Sequence, residues 1–189
     1  MIQADSTVLF LTALMLLILP LDWVLAAVVA GCFHELCHIL MVHAAGGKIT
    51  GISIHSGGAV IDTAPLGEGK QFLSILAGPL GSLSLLLLCR YFPKISICGL
   101  IHGLYNLIPV LPMDGGRLLQ LVLYKVCQDD TKTILYTVAV ITCCLMNLLT
   151  IWLVIVTDVG IWPAIFTLVW NLKHLPRKIP CKQTESGVQ

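Results

Sequence analysis

The sequence predicts an all-α polytopic membrane protein. About six transmembrane segments are expected, with a short re-entrant or interfacial β-hairpin between the second and third. Three observations carry this expectation. Hydrophobic residues make up 57% of the 189-residue chain and charged residues 11%, against about 25% charged in an ordinary soluble domain. The mean hydropathy is +0.93. The charges fall between apolar runs, as loop charges do between membrane helices.

The apolar runs cover residues 7–20, 22–45, 71–90, 95–111, 134–157 and 159–172. A spanning helix needs about 20 residues. The second, third and fifth runs meet this, whereas the first and last are short. Asp22 after Pro20 marks a turn between the first two runs, and Asp158 and Gly160 mark another before the last. The opening residues, MIQADSTVLF, lack the basic stretch and the small-residue cleavage site of a signal peptide. The first run is therefore expected to stay in the mature protein.

Charge placement tests the topology. If the N-terminus is cytoplasmic and every run crosses, then Lys48, Lys70, Arg117, Lys125, Lys132, Lys173, Arg177, Lys178 and Lys182 lie inside. Only Arg90 and Lys94 lie outside. This bias fits the positive-inside rule and predicts a multi-pass membrane protein with both termini cytoplasmic. The net charge is +1 and no basic stripe is present, so no nucleic-acid partner is expected.

Between the second and third runs the texture changes. Isoleucines alternate at 52 and 54, Gly57-Gly58 follows, and Ala59-Val60-Ile61 comes after. Alternation broken by paired glycines predicts a hairpin, followed by a loop over 62–70. No internal repeat or appended soluble domain is visible. The chain reads as a single membrane-embedded domain over 1–189, with its core at about 22–126. The cytoplasmic tail, 173–189, is too short to fold alone. Most of the eight cysteines lie in apolar runs and none forms a C-x-x-C pair. They predict neither a disulfide framework nor a thiolate zinc site, and Cys37 reads as a packing thiol.

Residues 34–38 read His-Glu-Leu-Cys-His, a match to H-E-x-x-H. On a helix, positions i and i+4 lie about 40° apart in rotation and about 6 Å along the axis. His34 and His38 can therefore share one metal ion. Glu35, about 100° around from His34, is better placed to act on a water at the metal than to be a third ligand. Burying two histidines and a glutamate in lipid costs several kcal/mol unless something compensates. The bland alternative is a polar cluster that stabilises helix packing. His43 lies on the other side of the helix and reads as interfacial.

Catalytic zinc sites usually take three protein ligands. Among the few acids, Asp114 stands apart, in the stretch from Asn106 to Gly116 (NLIPVLPMDGG) at the inner end of the fourth run. Pro109 and Pro112 interrupt a helix, and Gly115-Gly116 loosens it further. Irregular backbone at membrane depth is tolerated only where it is buried in protein or lines a wet cavity. Asp114 is thus expected to face a pocket. A helix-capping aspartate is the plainer reading, and the two can coexist. The second and fourth runs cross in the same direction, so His34, His38 and Asp114 can meet at one depth.

With these motifs together the sequence resembles the site-2 proteases, a family of intramembrane zinc metalloproteases. It is most similar to the compact branch typified by the stage IV sporulation protein FB. The matching stretches are HELCH (34–38), IHSGG (54–58), LAGPLG (76–81) and NLIPVLPMDGGRLL (106–119). The resemblance implies one zinc per chain on His34, His38 and Asp114, with Glu35 as catalytic base. It implies that Asn106 orients substrate or stabilises the oxyanion. It also implies that the strand at Gly57 and Gly58 pairs with an unwound substrate segment. Three positions depart from the family pattern: Cys37 stands where glycine is usual, Leu80-Gly81-Ser82 where an asparagine is often found, and His55-Ser56 before the paired glycines.

The function expected is hydrolysis of peptide bonds in membrane-anchored proteins near the cytoplasmic face, in regulated intramembrane proteolysis. The partners implied are a membrane-anchored protein or peptide substrate and the lipid bilayer. Regulatory membrane proteins and oligomerisation stay open. Two other readings compete: a metal or ion transporter built on the His/Asp cluster, and a catalytically inactive membrane partner protein.

Overall fold

The computed structural model describes residues 2–4, 19–55, 58–63, 66–127 and 129–157, with 161, 164, 167, 168 and 171 beyond. Most of the runs expected at 7–20 and 159–172 lies outside the described residues, as does Gly57.

The elements in chain order are strand β1 (Ile2–Ala4), helix α1 (Leu21–Ala44), strands β2 (Ile49–His55) and β3 (Gly58–Thr63), helix α2 (Glu68–Ser84), helix α3 (Pro93–Asn106), helix α4 (Asp114–Val126) and helix α5 (Thr131–Val156). Residues Met1–Thr131 form one compact unit and Lys132–Gln189 another. The residues expected to form the catalytic core all fall in the first.

Among the described residues, three helical stretches are long and apolar enough to cross a membrane: Leu21–Ala44, Glu68–Leu88 and Thr131–Val156. The run at 95–111 does not form one continuous helix. Helix α3 ends at Asn106. The next amides turn tightly, with Ile108 N–H bonding to the Tyr105 carbonyl at 3.2 Å. Pro109 has no N–H to donate and disfavours helical geometry at Ile108.

In the first unit, α1 buries a stripe at four-residue spacing: Ala26, Ala30 and His34. The methyl-sized positions let neighbouring helices come close before the polar positions begin. The opposite face is exposed and apolar (Leu25, Val28, Val29, Leu36 and Leu40), a surface suited to lipid rather than water.

Helices α2 and α3 approach through glycines. A Cβ at Gly99 would stand 2.8 Å from a Leu85 methyl and 2.9 Å from the Ser82 carbonyl oxygen, and one at Gly103 would stand 3.1 Å from the Ser82 Cβ. Small residues four apart on one face allow this close crossing. Helix α2 carries Pro79 in its interior and continues as a 3-10 turn, Leu85–Leu88. Ser96 closes that junction by donating its hydroxyl to the Leu85 carbonyl at 2.7 Å.

The strands form one sheet in the order β1-β2-β3. Strands β2 and β3 pair antiparallel, with His55 opposite Gly58, Ile54 opposite Ala59, and an irregularity at Ile49/Gly51. Strand β1 adds in parallel to the other edge of β2, a pairing not anticipated from the sequence because a three-residue strand has too little pattern to read. Lys70 then ties the start of α2 to the end of α1, donating to the Ala45 carbonyl at 2.9 Å as a cation does at a helix C-terminus.

The 26-residue helix α5 lies in the second unit apart from its first residue, Thr131. Its Cys143 carbonyl accepts from the side-chain amides of both Asn147, at 2.9 Å, and Asn171, at 3.3 Å.

Candidate metal centre

Three side chains from distant parts of the sequence converge in the first unit. His34 Nε2 lies 3.0 Å from Asp114 Oδ2, His38 Nε2 lies 3.2 Å from the same oxygen, and the two Nε2 atoms lie 3.1 Å apart. His34 is 1% exposed and Asp114 6%, so water does not solvate the cluster freely. Among the described residues this is the one group of three or more His, Cys, Asp or Glu side chains placed to hold a metal ion.

The other ring nitrogens show what these atoms are for. His38 Nδ1 lies 2.7 Å from the Ser74 backbone carbonyl. A carbonyl only accepts, so Nδ1 carries the proton and, in the neutral ring, Nε2 keeps its lone pair. His34 Nδ1 lies 2.9 Å from Ser82 Oγ. Two imidazole nitrogens and a carboxylate oxygen thus face one another at 3.0–3.2 Å. Ligands at about 2.0 Å in a tetrahedral zinc site lie about 3.3 Å apart. The donor set and its spacing fit a zinc ion, and both Nδ1 atoms have the outer partners that ligating histidines need.

Local structure explains why each side chain arrives there. The two histidines sit one turn apart on α1, and α2 leaves them room. A Cβ at Gly78 would collide with the His38 ring, and one at Gly81 would collide with the Cys37 thiol. Cys37 is thus packed against α2 as a small apolar group. Asp114 is the first residue of α4, after Met113 at the N-cap. It does not serve as the N-cap; its carboxylate turns to the histidines. Gly115 and Gly116 lie where a Cβ would run into the backbone at Leu107 and Val110. The glycines press the start of α4 onto the broken segment that the prolines create, with Val110 and Met113 each 1% exposed beneath.

Glu35 follows His34 on α1, with its Oε2 buried. Asn106 is 8% exposed and donates from Nδ2 to the His102 carbonyl at 3.1 Å, one turn back on its own helix. Gly58 begins β3 opposite His55.

Two neighbours of the histidines were not singled out from sequence, the Ser74 carbonyl and His102; a third, Ser82, enters the sequence reading only as a departure from the family pattern. The His102 ring stands edge-on to His34, with centroids 4.7 Å apart and planes at 82°. A histidine in an apolar run is itself a signal. Ser82, four residues beyond Gly78, could have been found by following that spacing onto one helix face.

Comparison with known proteins places the chain in a family. The family model described as Peptidase M50B-like matches residues 7–108, more than half of the chain, and that of Peptidase family M50 matches 74–146. The chain belongs to the M50 peptidases, the site-2 protease family. A zinc metalloprotease of Methanocaldococcus jannaschii is 36% identical over an alignment of 108 residues that covers 49% of this chain and 31% of that protein. The aligned stretch therefore spans about a third of the relative's length. The solved structure of the site-2 protease from the same organism superposes with a TM-score of 0.65. It is 23% identical, covering 93% of this chain and 91% of that one, a likeness that speaks to the fold.

Proposed function

We propose that this M50 peptidase is an intramembrane zinc metalloprotease that hydrolyses peptide bonds of membrane-anchored proteins near the cytoplasmic face. The observation that carries the reading is the buried triad of metal-ligating atoms, His34 Nε2, His38 Nε2 and Asp114 Oδ2. On this reading these three hold one zinc ion. When bound, zinc supplies Lewis acidity toward a peptide carbonyl and makes a water molecule a better acid.

The chain's own groups do the rest. The Glu35 carboxylate takes the proton of the attacking water and delivers it to the amide nitrogen that leaves. One C–N bond breaks, one C–O bond forms, and water supplies the new carboxyl and amine ends. Asn106 orients the substrate carbonyl; its amide nitrogen carries two N–H groups, so one stays on the His102 carbonyl while the other donates to the substrate. The backbone around Gly57 and Gly58 receives an unwound substrate strand by β-addition, since a helical segment hides its peptide bonds until it opens. The hairpin lies at the membrane interface, six segments cross, and both termini face the cytoplasm of a bacterial cell.

Substituting Glu35→Gln tests the assignment. Purified Glu35→Gln protein should keep its zinc yet cleave a membrane-anchored substrate at least about 100-fold more slowly, the lower end of what a positioned base contributes. Cleavage at the wild-type rate would remove Glu35 from the mechanism.

A further inference from the structure

We propose that Ser82 is the positioning residue for His34, holding the ring in the form that presents the Nε2 lone pair to the metal. The proposal rests on the metal-centre reading above and adds a residue to it.

The two histidines are held by different means. His38 Nδ1 faces the Ser74 carbonyl at 2.7 Å, and no side-chain substitution removes a backbone acceptor. His34 Nδ1 faces the Ser82 hydroxyl at 2.9 Å. Ser82 is 0% exposed and His34 1%, so bulk water cannot stand in for that hydroxyl.

A neutral imidazole carries one proton, on Nδ1 or on Nε2. With the proton on Nδ1, the ring donates to Ser82 Oγ and Nε2 is free to ligate. With the proton on Nε2, the ring donates to Asp114 Oδ2, 3.0 Å away, and cannot ligate through that atom. Ser82→Ala acts on these two forms unequally. It leaves the ligating form with a buried Nδ1–H and nothing to donate to, a costly arrangement. The non-ligating form keeps its bond to Asp114.

The ring has little freedom to find another partner. His38 stands edge-on to it with centroids 4.7 Å apart, and His102 does the same from another side. The Ser82 Cβ is itself confined, since Gly103 on α3 leaves just enough space for it.

The test measures zinc affinity of the full-length purified protein by competition with a chromophoric chelator, alongside thermal melting. Ser82→Ala should raise the zinc Kd about 10- to 100-fold, as loss of an outer partner to a metal-bound histidine does. Ser82→Thr, which keeps the hydroxyl, should return the Kd toward the wild-type value. Ser96→Ala is the control. Ser96 is also buried, at 1% exposure, but its hydroxyl bonds to the Leu85 carbonyl away from the cluster. That variant should melt earlier and bind zinc as wild type does. Both alanine variants are smaller than the native side chain, so their comparison decides the matter even if threonine crowds Gly103. An unchanged Kd in Ser82→Ala beside tight wild-type binding overturns the proposal alone, as does equal weakening in Ser96→Ala. Wild-type protein with no tightly held zinc overturns the metal-centre reading, and this proposal with it.

Discussion

At the scale of single residues, the centre depends as much on missing side chains as on present ones. His34 and His38 reach one point because four-residue spacing aligns them, but His38 has a place to stand only because position 78 has no Cβ. Gly78→Ala should therefore displace the His38 ring and lower zinc occupancy, with an overpacking cost of about 1–3 kcal/mol. Gly69→Ala in the first turn of the same helix is the comparison, because nothing lies within 4 Å of a Cβ there. Full zinc occupancy in Gly78→Ala, measured by elemental analysis, would show that the close approach is not needed.

The residue scale also separates what the sequence reveals from what it conceals. HELCH is legible because a helix repeats every 3.6 residues and its two histidines lie within one turn. Asp114 is legible through its neighbours, since two prolines and two glycines at the end of an apolar run mark a break in the helix. The contacts of Ser82 and of the Ser74 carbonyl are not, because they reach their histidines across separations of 48 and 36 residues, and Ser82 shows in the sequence only as a departure from the family pattern. Nothing local to Ser74 distinguishes its carbonyl from any other.

At the scale of elements, the crossing of α2 and α3 is decided by Gly99 and Gly103. Their four-residue spacing on one face is a sequence signal for close helix contact, and it would have placed the apposition of these two helices. Gly99→Leu should force the helices apart at the Ser82 carbonyl, a backbone atom that cannot move aside. The expected loss is again about 1–3 kcal/mol, read as earlier unfolding in detergent. Ile101→Leu, at a position 62% exposed on the outer face of the same helix, should leave the unfolding midpoint where it is. Equal midpoints for the two variants would contradict the packing account. Element ends were harder to read than element identities. The fourth apolar run extends through Leu111 in hydropathy, while its helix stops at Asn106, because hydropathy does not register the missing N–H of Pro109.

At the scale of the whole molecule, the fold solves one problem. Charged and hydrogen-bonding groups are costly in lipid, so the chain gathers them between α1, α2, α3 and the start of α4. It turns leucine, valine and isoleucine outward on α1 and on α5, where Leu145, Leu148 and Ile155 are exposed. The membrane class was legible from composition alone, because that outward apolar surface is what composition counts. Topology was less so: described residues support three membrane-capable stretches, and the shortest apolar runs, at 7–20 and 159–172, lie mostly outside the described residues. The buried polar group gathered by the fold joins residues 80 positions apart. A metal held there would cross-link α1 to α4 and stabilise their packing by mass action. Zinc K-edge absorption on the purified full-length protein tests this most directly. The account predicts one zinc per chain with two imidazole nitrogens and a carboxylate oxygen in its first shell, no sulfur, and loss of the metal in Asp114→Ala. A sulfur ligand, or full zinc occupancy in Asp114→Ala, would contradict it.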